Sequence, residues 1–157
     1  MRLSLIAITV LALWMPTLEL AGQKKKPITQ AEKLRGSVTP ERAWWDLQHY
    51  HLQVKFNPEQ RTISGSNQVS FKVLKPARRM QIDLQKPLEI SRVTFGQTEL
   101  KFERDGKAPN VHRIEFPKEL KKGTEQIITI FYGGKPVASK NPPWQGGVSW
   151  KKDSKGN

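Results

Sequence analysis

The segment from Trp44 to Leu74 constrains this chain more than any other, because it carries two apolar alternations on either side of one turn signal. In WWDLQHYHLQVKF, the residues Tyr50, Leu52, Val54 and Phe56 recur at every second position, separated by His49, His51, Gln53 and Lys55. That is the period of a half-buried strand. Asn57-Pro58 opens a turn, since Asn suits its first position and Pro pre-sets φ at the second. In RTISGSNQVSFKVL, Ile63, Val69, Phe71 and Val73 point one way, while Thr62, Ser64, Ser66, Gln68, Ser70 and Lys72 point the other. A slip of one residue would turn every apolar side chain to water, so the register is well specified. The spacing predicts hairpin arms at about 46–56 and 61–74, with Tyr50, Leu52, Val54, Phe56, Val69, Phe71 and Val73 buried together. Gly65 falls in the apolar phase without a side chain and predicts a bulge or a close backbone approach.

Further strands follow at turn signals spaced as in a sandwich or barrel. Met80, Ile82 and Leu84 alternate with polar neighbours until Lys86-Pro87. Leu88–Phe95 is extended, Gly96-Gln97 turns, and Thr98–Arg104 is extended again up to the turn dipeptide Asp105-Gly106. Val111–Phe116 is expected to end at Pro117. After Lys121-Lys122-Gly123, the segment Glu125–Tyr132 is apolar on both faces and reads as a central strand covered on both sides. The fold class is therefore all-β, an antiparallel sandwich or saddle-like domain that lacks its closing strands at the C-terminus.

Three regions are expected. Residues 1–22 read as a secretory signal: Arg2 supplies the positive start, and Leu3–Trp14 is an apolar run too short to span a bilayer comfortably. The alternative is an uncleaved N-terminal anchor. Residues 23–43 form a polar, basic connector with a short helical piece near Thr29–Leu34, otherwise solvated. Residues 44–157 make the packed domain.

The formal charge of +13 suits an anionic partner. Apart from Lys24–Lys26, however, the cations are scattered along strands and turns, with no recognition helix or RNA-binding aromatic signature, so no specific nucleic-acid partner is expected. The chain has no cysteine, which excludes disulfides, thiolate metal sites and a cysteine nucleophile.

Candidate chemistry is sparse. His49 and His51 share one face of a strand and could hold a metal if His112 or Asp46 joined them, but a zinc site takes at least three protein ligands. The other reading is a polar face carrying two ordinary histidines. Ser64-Gly65-Ser66 lies mid-strand and lacks the helix of a nucleophile elbow. Asp83, Glu89, Glu99, Glu103 and Asp105 are spaced like turn and surface residues, and no P-loop, G-x-G-x-x-G or H-E-x-x-H occurs. No catalytic or metal-ligating residue is assigned. The segment PPWQGGVSW holds Trp144, Gln145, Gly146, Gly147 and Trp150. Aromatic planes beside a flexible backbone suit a sugar or peptide groove, but a buried Trp more often packs a core or interface, and that reading is preferred.

The order of these segments carries a resemblance. Arg42-Ala43-Trp44-Trp45-Asp46, His49-Tyr50-His51-Leu52, Thr62-Ile63-Ser64-Gly65-Ser66, Gln81-Ile82-Asp83-Leu84-Gln85, Tyr132-Gly133-Gly134-Lys135-Pro136 and Pro142-Pro143-Trp144-Gln145-Gly146-Gly147 follow one another as in the N-terminal domain of the aminopeptidase N family. These are the gluzincin zinc metallopeptidases, and the chain resembles most their bacterial exported branch. Gln145 stands where an acid is expected. The resemblance implies a β domain placed before a thermolysin-like catalytic domain. It implies zinc and a peptide substrate for the full-length family, with the H-E-x-x-H motif, a further Glu and the exopeptidase motif all downstream of Asn157. No cofactor belongs to this chain itself. It is thus expected to be inactive alone, a non-catalytic fragment whose partner is the missing catalytic domain. The alternative is a stand-alone secreted β-sandwich that binds an anionic or carbohydrate ligand.

Overall fold

A computed structural model describes residues 26–156, so the expected signal segment, 1–22, and the start of the connector lie outside the described residues. The chain forms a helix, α1 (Gln30–Gly36), and eight strands: β1 (Trp45–Asn57), β2 (Thr62–Val73), β3 (Ala77–Asp83), β4 (Glu89–Phe95), β5 (Thr98–Glu99), β6 (Lys101–Arg104), β7 (Val111–Leu120) and β8 (Glu125–Gly134). They build a five-stranded sheet of order β1-β2-β8-β4-β5 and a three-stranded sheet of order β3-β7-β6, antiparallel at every pairing. The expected all-β sandwich is the observed fold.

The hairpin arms fall within two residues of their expected ends. Tyr50 faces Val69, Leu52 faces Asn67, Val54 faces Gly65 and Phe56 faces Ile63. Gly65 marks a close backbone approach: a Cβ there would lie 1.9 Å from the Gln53 carbonyl oxygen. The bulge sits elsewhere, between Leu47 and His49. At Leu100 the chain steps from β5 in the long sheet to β6 in the short one. Leu100 is buried at this corner and its N–H bonds the Val93 carbonyl at 2.9 Å.

Between the sheets lies a core of Val69, Phe71, Val73, Val93, Ile128 and Ile130 from the long sheet against Met80, Ile114, Phe116 and Leu120 from the short one. Trp44 closes one side, edge-on to Phe71 at 5.9 Å and to Phe116 at 6.0 Å. Its indole N–H is satisfied by the Arg79 carbonyl at 2.7 Å, as a buried Trp requires.

Four expectations need correction. Tyr50, Leu52, Val54 and Phe56 are exposed, whereas Val69, Phe71 and Val73 are sealed. Alternation identifies the apolar face of a strand but not what covers it, and the short sheet covers only half of the long one. Pro117 does not end its strand: β7 runs through to Leu120, because the pairing with β3 shifts register between Ala77 and Arg79. A proline is tolerated at such an irregularity, where no ladder donor is needed. β8 is central in its sheet, as expected, but it is covered on one face only. Ile127 is exposed, and Phe131 is capped by the Arg92 guanidinium at 4.1 Å from its ring centre.

Lastly, the connector is anchored to the domain from Gln30 onward, although most of its side chains stay exposed. Thr29 and Glu32 form a capping box that starts α1. Leu34 packs on Ala108 and Val111. Gln81, itself buried, donates to the Leu34 carbonyl at 3.2 Å and accepts from the Thr39 hydroxyl at 2.9 Å. Arg42 pairs with Asp83 and donates to the Arg35 and Ser37 carbonyls. The charges in this stretch hid one apolar and two polar anchors, Leu34, Thr39 and Arg42.

Candidate functional site

The feature that the fold leaves unfinished is one apolar face. Along β1, Tyr50, Leu52, Val54 and Phe56 are 50%, 60%, 37% and 57% exposed. The face continues across the sheet through Asn67, Gly65 and Ile63 on β2 to Ile130, Tyr132 and Gly134 on β8. A soluble protein exposes single apolar residues freely, but a contiguous row of large ones marks an interaction surface. Fully covering a side chain of this size contributes about 1.5–3 kcal/mol.

Where the row meets the short sheet there is an open cleft of about 500 Å³, lined among others by Tyr50, Asn67, Ile130, Gln81 and Ile82, with the Arg42–Asp83 pair at its rim. Asn67 Oδ1 is buried and accepts no hydrogen bond. A buried acceptor without a donor costs about 1–3 kcal/mol. Tyr132 is partly covered at the same face, where its hydroxyl donates to the Gln53 carbonyl at 3.4 Å and burial pushes the phenol upward from its ordinary value.

The segment after β8 reaches this face. Val137 and Ser139 exchange backbone hydrogen bonds with Val148, and Ala138 bridges Val148 in parallel. Gly147 makes the pinch possible. Its φ is +133°, and a Cβ would lie 2.6 Å from the Val137 carbonyl oxygen. The loop so closed is braced by Ser139 Oγ donating to the Gln145 carbonyl at 2.8 Å. Its Trp144 is 83% exposed, and Gln145 and Gly146 are exposed beside it. Trp150 turns back and stands edge-on to Phe56 at 6.4 Å. Of the two tryptophans, one therefore packs on the near end of the bare row and the other packs on nothing described.

The other candidates separate. His49 and His51 lie exposed on the opposite face of β1, while His112 is buried in the short sheet, so the three do not converge. Among the described residues no three His, Asp or Glu side chains come together as a metal would need, and zinc does not fit those residues. His112 Nε2 accepts from Arg104 Nε at 3.2 Å, and its Nδ1 has no hydrogen-bond partner. Burial, and then the nearby Arg104 charge, hold this imidazole below its ordinary pKa, against a smaller upward pull from the Asn110 backbone. The carboxylates are engaged structurally: Asp83 with Arg42, Glu89 with Arg104, Glu103 with Arg79, and Asp105 with Arg113. Asp105 also accepts the Lys107 and Ala108 N–H groups, so its carboxyl is held below the usual carboxylate range, chiefly by Arg113.

Sequence reasoning missed Asn67 and Gln81. Asn67 had a signal: it is the polar member of the apolar phase Ile63, Gly65, Asn67, Val69, Phe71. Gln81 had none, since it alternates correctly with Met80 and Ile82 and is buried only by the strap from residues 34–42.

Residues 47–141 match the model of the peptidase M1 N-terminal domain. No curated protein matches the chain. Among solved structures, a variant M1 zinc metallopeptidase from Deinococcus radiodurans bound to a Tyr-Ser-Ala substrate is similar, at 20% identity and a TM-score of 0.54. The alignment covers 65% of this chain and 23% of that one. The M1 zinc metallopeptidase from the same organism aligns at 20% identity and a TM-score of 0.51, covering 60% and 21%. A two-domain M1 zinc metallopeptidase variant bound to L-arginine gives 22% identity and a TM-score of 0.52, covering 65% and 23%. At these identities the likeness concerns the fold. The alignment accounts for less than a quarter of each of these structures.

Proposed function

Because this chain belongs to the peptidase M1 family through its N-terminal, non-catalytic domain, we propose that it is the leading β domain of an exported zinc aminopeptidase. The zinc site, the peptide-cleaving chemistry and the exopeptidase specificity belong to a catalytic domain that follows in the same polypeptide. The observation that carries this reading is the match itself: it falls on the N-terminal domain of the family, over residues 47–141, and the similar solved structures are several times longer than the aligned part. Export is motivated by Arg2 and the apolar run Leu3–Trp14. The segment of Trp144, Gln145, Gly146, Gly147 and Trp150 serves as an interface rather than a catalytic element. Its backbone is pinched into one shape and its most exposed indole has no partner within the described residues.

The test is expression of the reading frame continued past Asn157 beside the 157-residue form, each offered an aminoacyl fluorogenic substrate. The longer protein is expected to turn over substrate in a chelator-sensitive way, and the shorter one to match an inactive control. Turnover by the short form, or none by the long one, would contradict the reading. A reporter fused after Gly22 that stays in the cytoplasm would remove the export part alone.

A further inference from the structure

The cations scattered along the sequence are not all matched in the fold. Arg42, Arg79, Arg104 and Arg113 each pair with a carboxylate. Lys75, Arg78, Lys118, Lys121 and Lys122 are exposed, and among the described residues none of them is in an ion pair. They occupy two connections between the sheets at one end of the sandwich, from β2 to β3 and from β7 to β8. The backbone ties these connections together. The Val73 N–H donates to the Thr124 carbonyl at 2.9 Å, and the Gly123 N–H donates to the Val73 carbonyl at 2.7 Å. Ala77 stands in register with Leu120. Two segments remote in sequence thus set five cations on one tip against one carboxylate, Glu119. Asp46 and Glu125 stand behind it, both in register with Lys72.

The same tip carries apolar surface. Leu74 is 41% exposed beside Lys75, and its N–H is held by the Trp44 carbonyl at 2.7 Å. Pro76 and Pro117 are exposed in the same turns. An apolar side chain among long cationic ones fits the boundary of an anionic bilayer. The leucine enters the headgroup layer, and the lysine stems lie along it while their ammonium groups reach the lipid phosphates. Nucleic acid needs other features. Sequence readers present a helix or ribbon to a groove, and single-strand binders present stacking aromatics. This tip is made of turns, and Trp44 behind it is buried with its indole N–H satisfied. Helix α1 packs on Ala108 and Val111, at the opposite end of β7.

We propose that the tip formed by residues 74–78 and 117–123 docks on an anionic phospholipid bilayer, with Lys75, Lys121 and Lys122 at the lipid phosphates and Leu74 in the headgroup layer. The surface does not depend on the peptidase reading, since every residue in it lies in the described sandwich. Each cation near such a bilayer raises the partition constant roughly fivefold, and salt screens that gain. The contact is therefore reversible and sensitive to ionic strength.

The test is co-sedimentation of the 157-residue chain with vesicles of phosphatidylglycerol and phosphatidylcholine at about one to three, beside pure phosphatidylcholine. The apolar run Leu3–Trp14 is common to every variant, so ratios between variants report the tip. The triple variant Lys75→Gln, Lys121→Gln, Lys122→Gln is expected to bind the anionic vesicles at least tenfold more weakly, with Tm unchanged. The triple Lys33→Gln, Lys86→Gln, Lys107→Gln makes the same charge change on exposed residues outside the tip and should lose less than about threefold. Arginine at positions 75, 121 and 122 should restore binding. Leu74→Ser should weaken it severalfold and Leu52→Ser should not. Binding by the unsubstituted chain should fall at least tenfold between about 0.05 and 0.5 M salt. Equal loss in the two triples, failure of arginine to restore binding, indifference to salt, or equal binding to neutral vesicles overturns the proposal. A larger loss for Leu52→Ser than for Leu74→Ser assigns lipid to the bare row and also overturns it. So does a tip variant that loses affinity for a short DNA duplex while keeping its affinity for vesicles.

Discussion

Phe71 and Phe56 lie on the same face of the same hairpin, yet Phe71 is completely sealed and Phe56 is 57% exposed. Around Phe71 the short sheet brings Phe116 and Met80, and Trp44 closes the edge. Around Phe56 there is, among the described residues, one aromatic contact, from Trp150. Strand alternation is equally regular at both places, so local sequence preference does not distinguish them. The difference is one of cover: a sheet face is stabilised by the layer packed on it, and the described residues supply that layer for only one half.

The sharpest way to break this comparison is a pair of truncations. Phe71→Ala should cost about 3–5 kcal/mol through lost burial and a cavity. Phe56→Ala in the same chain should cost no more than about 1 kcal/mol, the size of a single aromatic edge contact. Denaturant unfolding of both variants measures this, and equal costs would show that the bare half is not bare. Gly65→Ala comes next. It places a methyl group against the Gln53 backbone, which cannot swing aside as a side chain could, and should destabilise by about 1–3 kcal/mol. The same substitution at Gly147 should open the 137–148 loop to proteolysis and leave the global transition in place, because that loop contributes nothing to the core.

The contrast between the halves also marks how far the amino-acid pattern can be read. The hairpin, its register and the turns at Asp105-Gly106 and Lys121–Gly123 follow from local chemistry, and the structure has them. Burial of the β1 row does not follow, because it depends on residues far away in the chain or outside it. The strap from residues 30–43 was hidden for a related reason. Its anchors are Leu34, Thr39 and Arg42, whose partners Val111, Gln81 and Asp83 lie far along the sequence. Pro117 inside β7 was illegible because only the register shift against β3 makes room for it. At the candidate site, Trp144 and Trp150 were visible as a pair. That only Trp150 packs could not be told from spacing, since it depends on the pinch at Gly147.

A smaller effect concerns pH and belongs to the sealed half. His112 is buried, with its folded pKa below the ordinary value of 6.5. The unfolded chain then binds more protons as pH falls through that region, so stability is lost on acidification from neutral pH. Asp105 is held below its ordinary 3.8, so its share persists until pH drops under about 4 and is lost there. Thermal melts across pH should therefore decline in two stages. His112→Gln should remove the upper stage and leave the lower one. An unchanged upper stage would assign it to another group.

The smallest expected effect lies on the bare row. Leu52→Lys in the 157-residue form should change stability by about 0.5 kcal/mol or less, as at an ordinary surface position. A large loss would place Leu52 in a core that this account says does not exist.

Hydroxyl-radical footprinting of the intact 157-residue chain, read residue by residue by mass spectrometry, tests the central claim most directly. If one half of the sheet is sealed and the other open, Tyr50, Leu52 and Phe56 will be oxidised at the rates of exposed side chains, while Phe71, Phe116 and Met80 stay protected until the chain unfolds. Protection of both sets in a monomer would mean that the chain covers its own face, and the account of two unequal halves would fall.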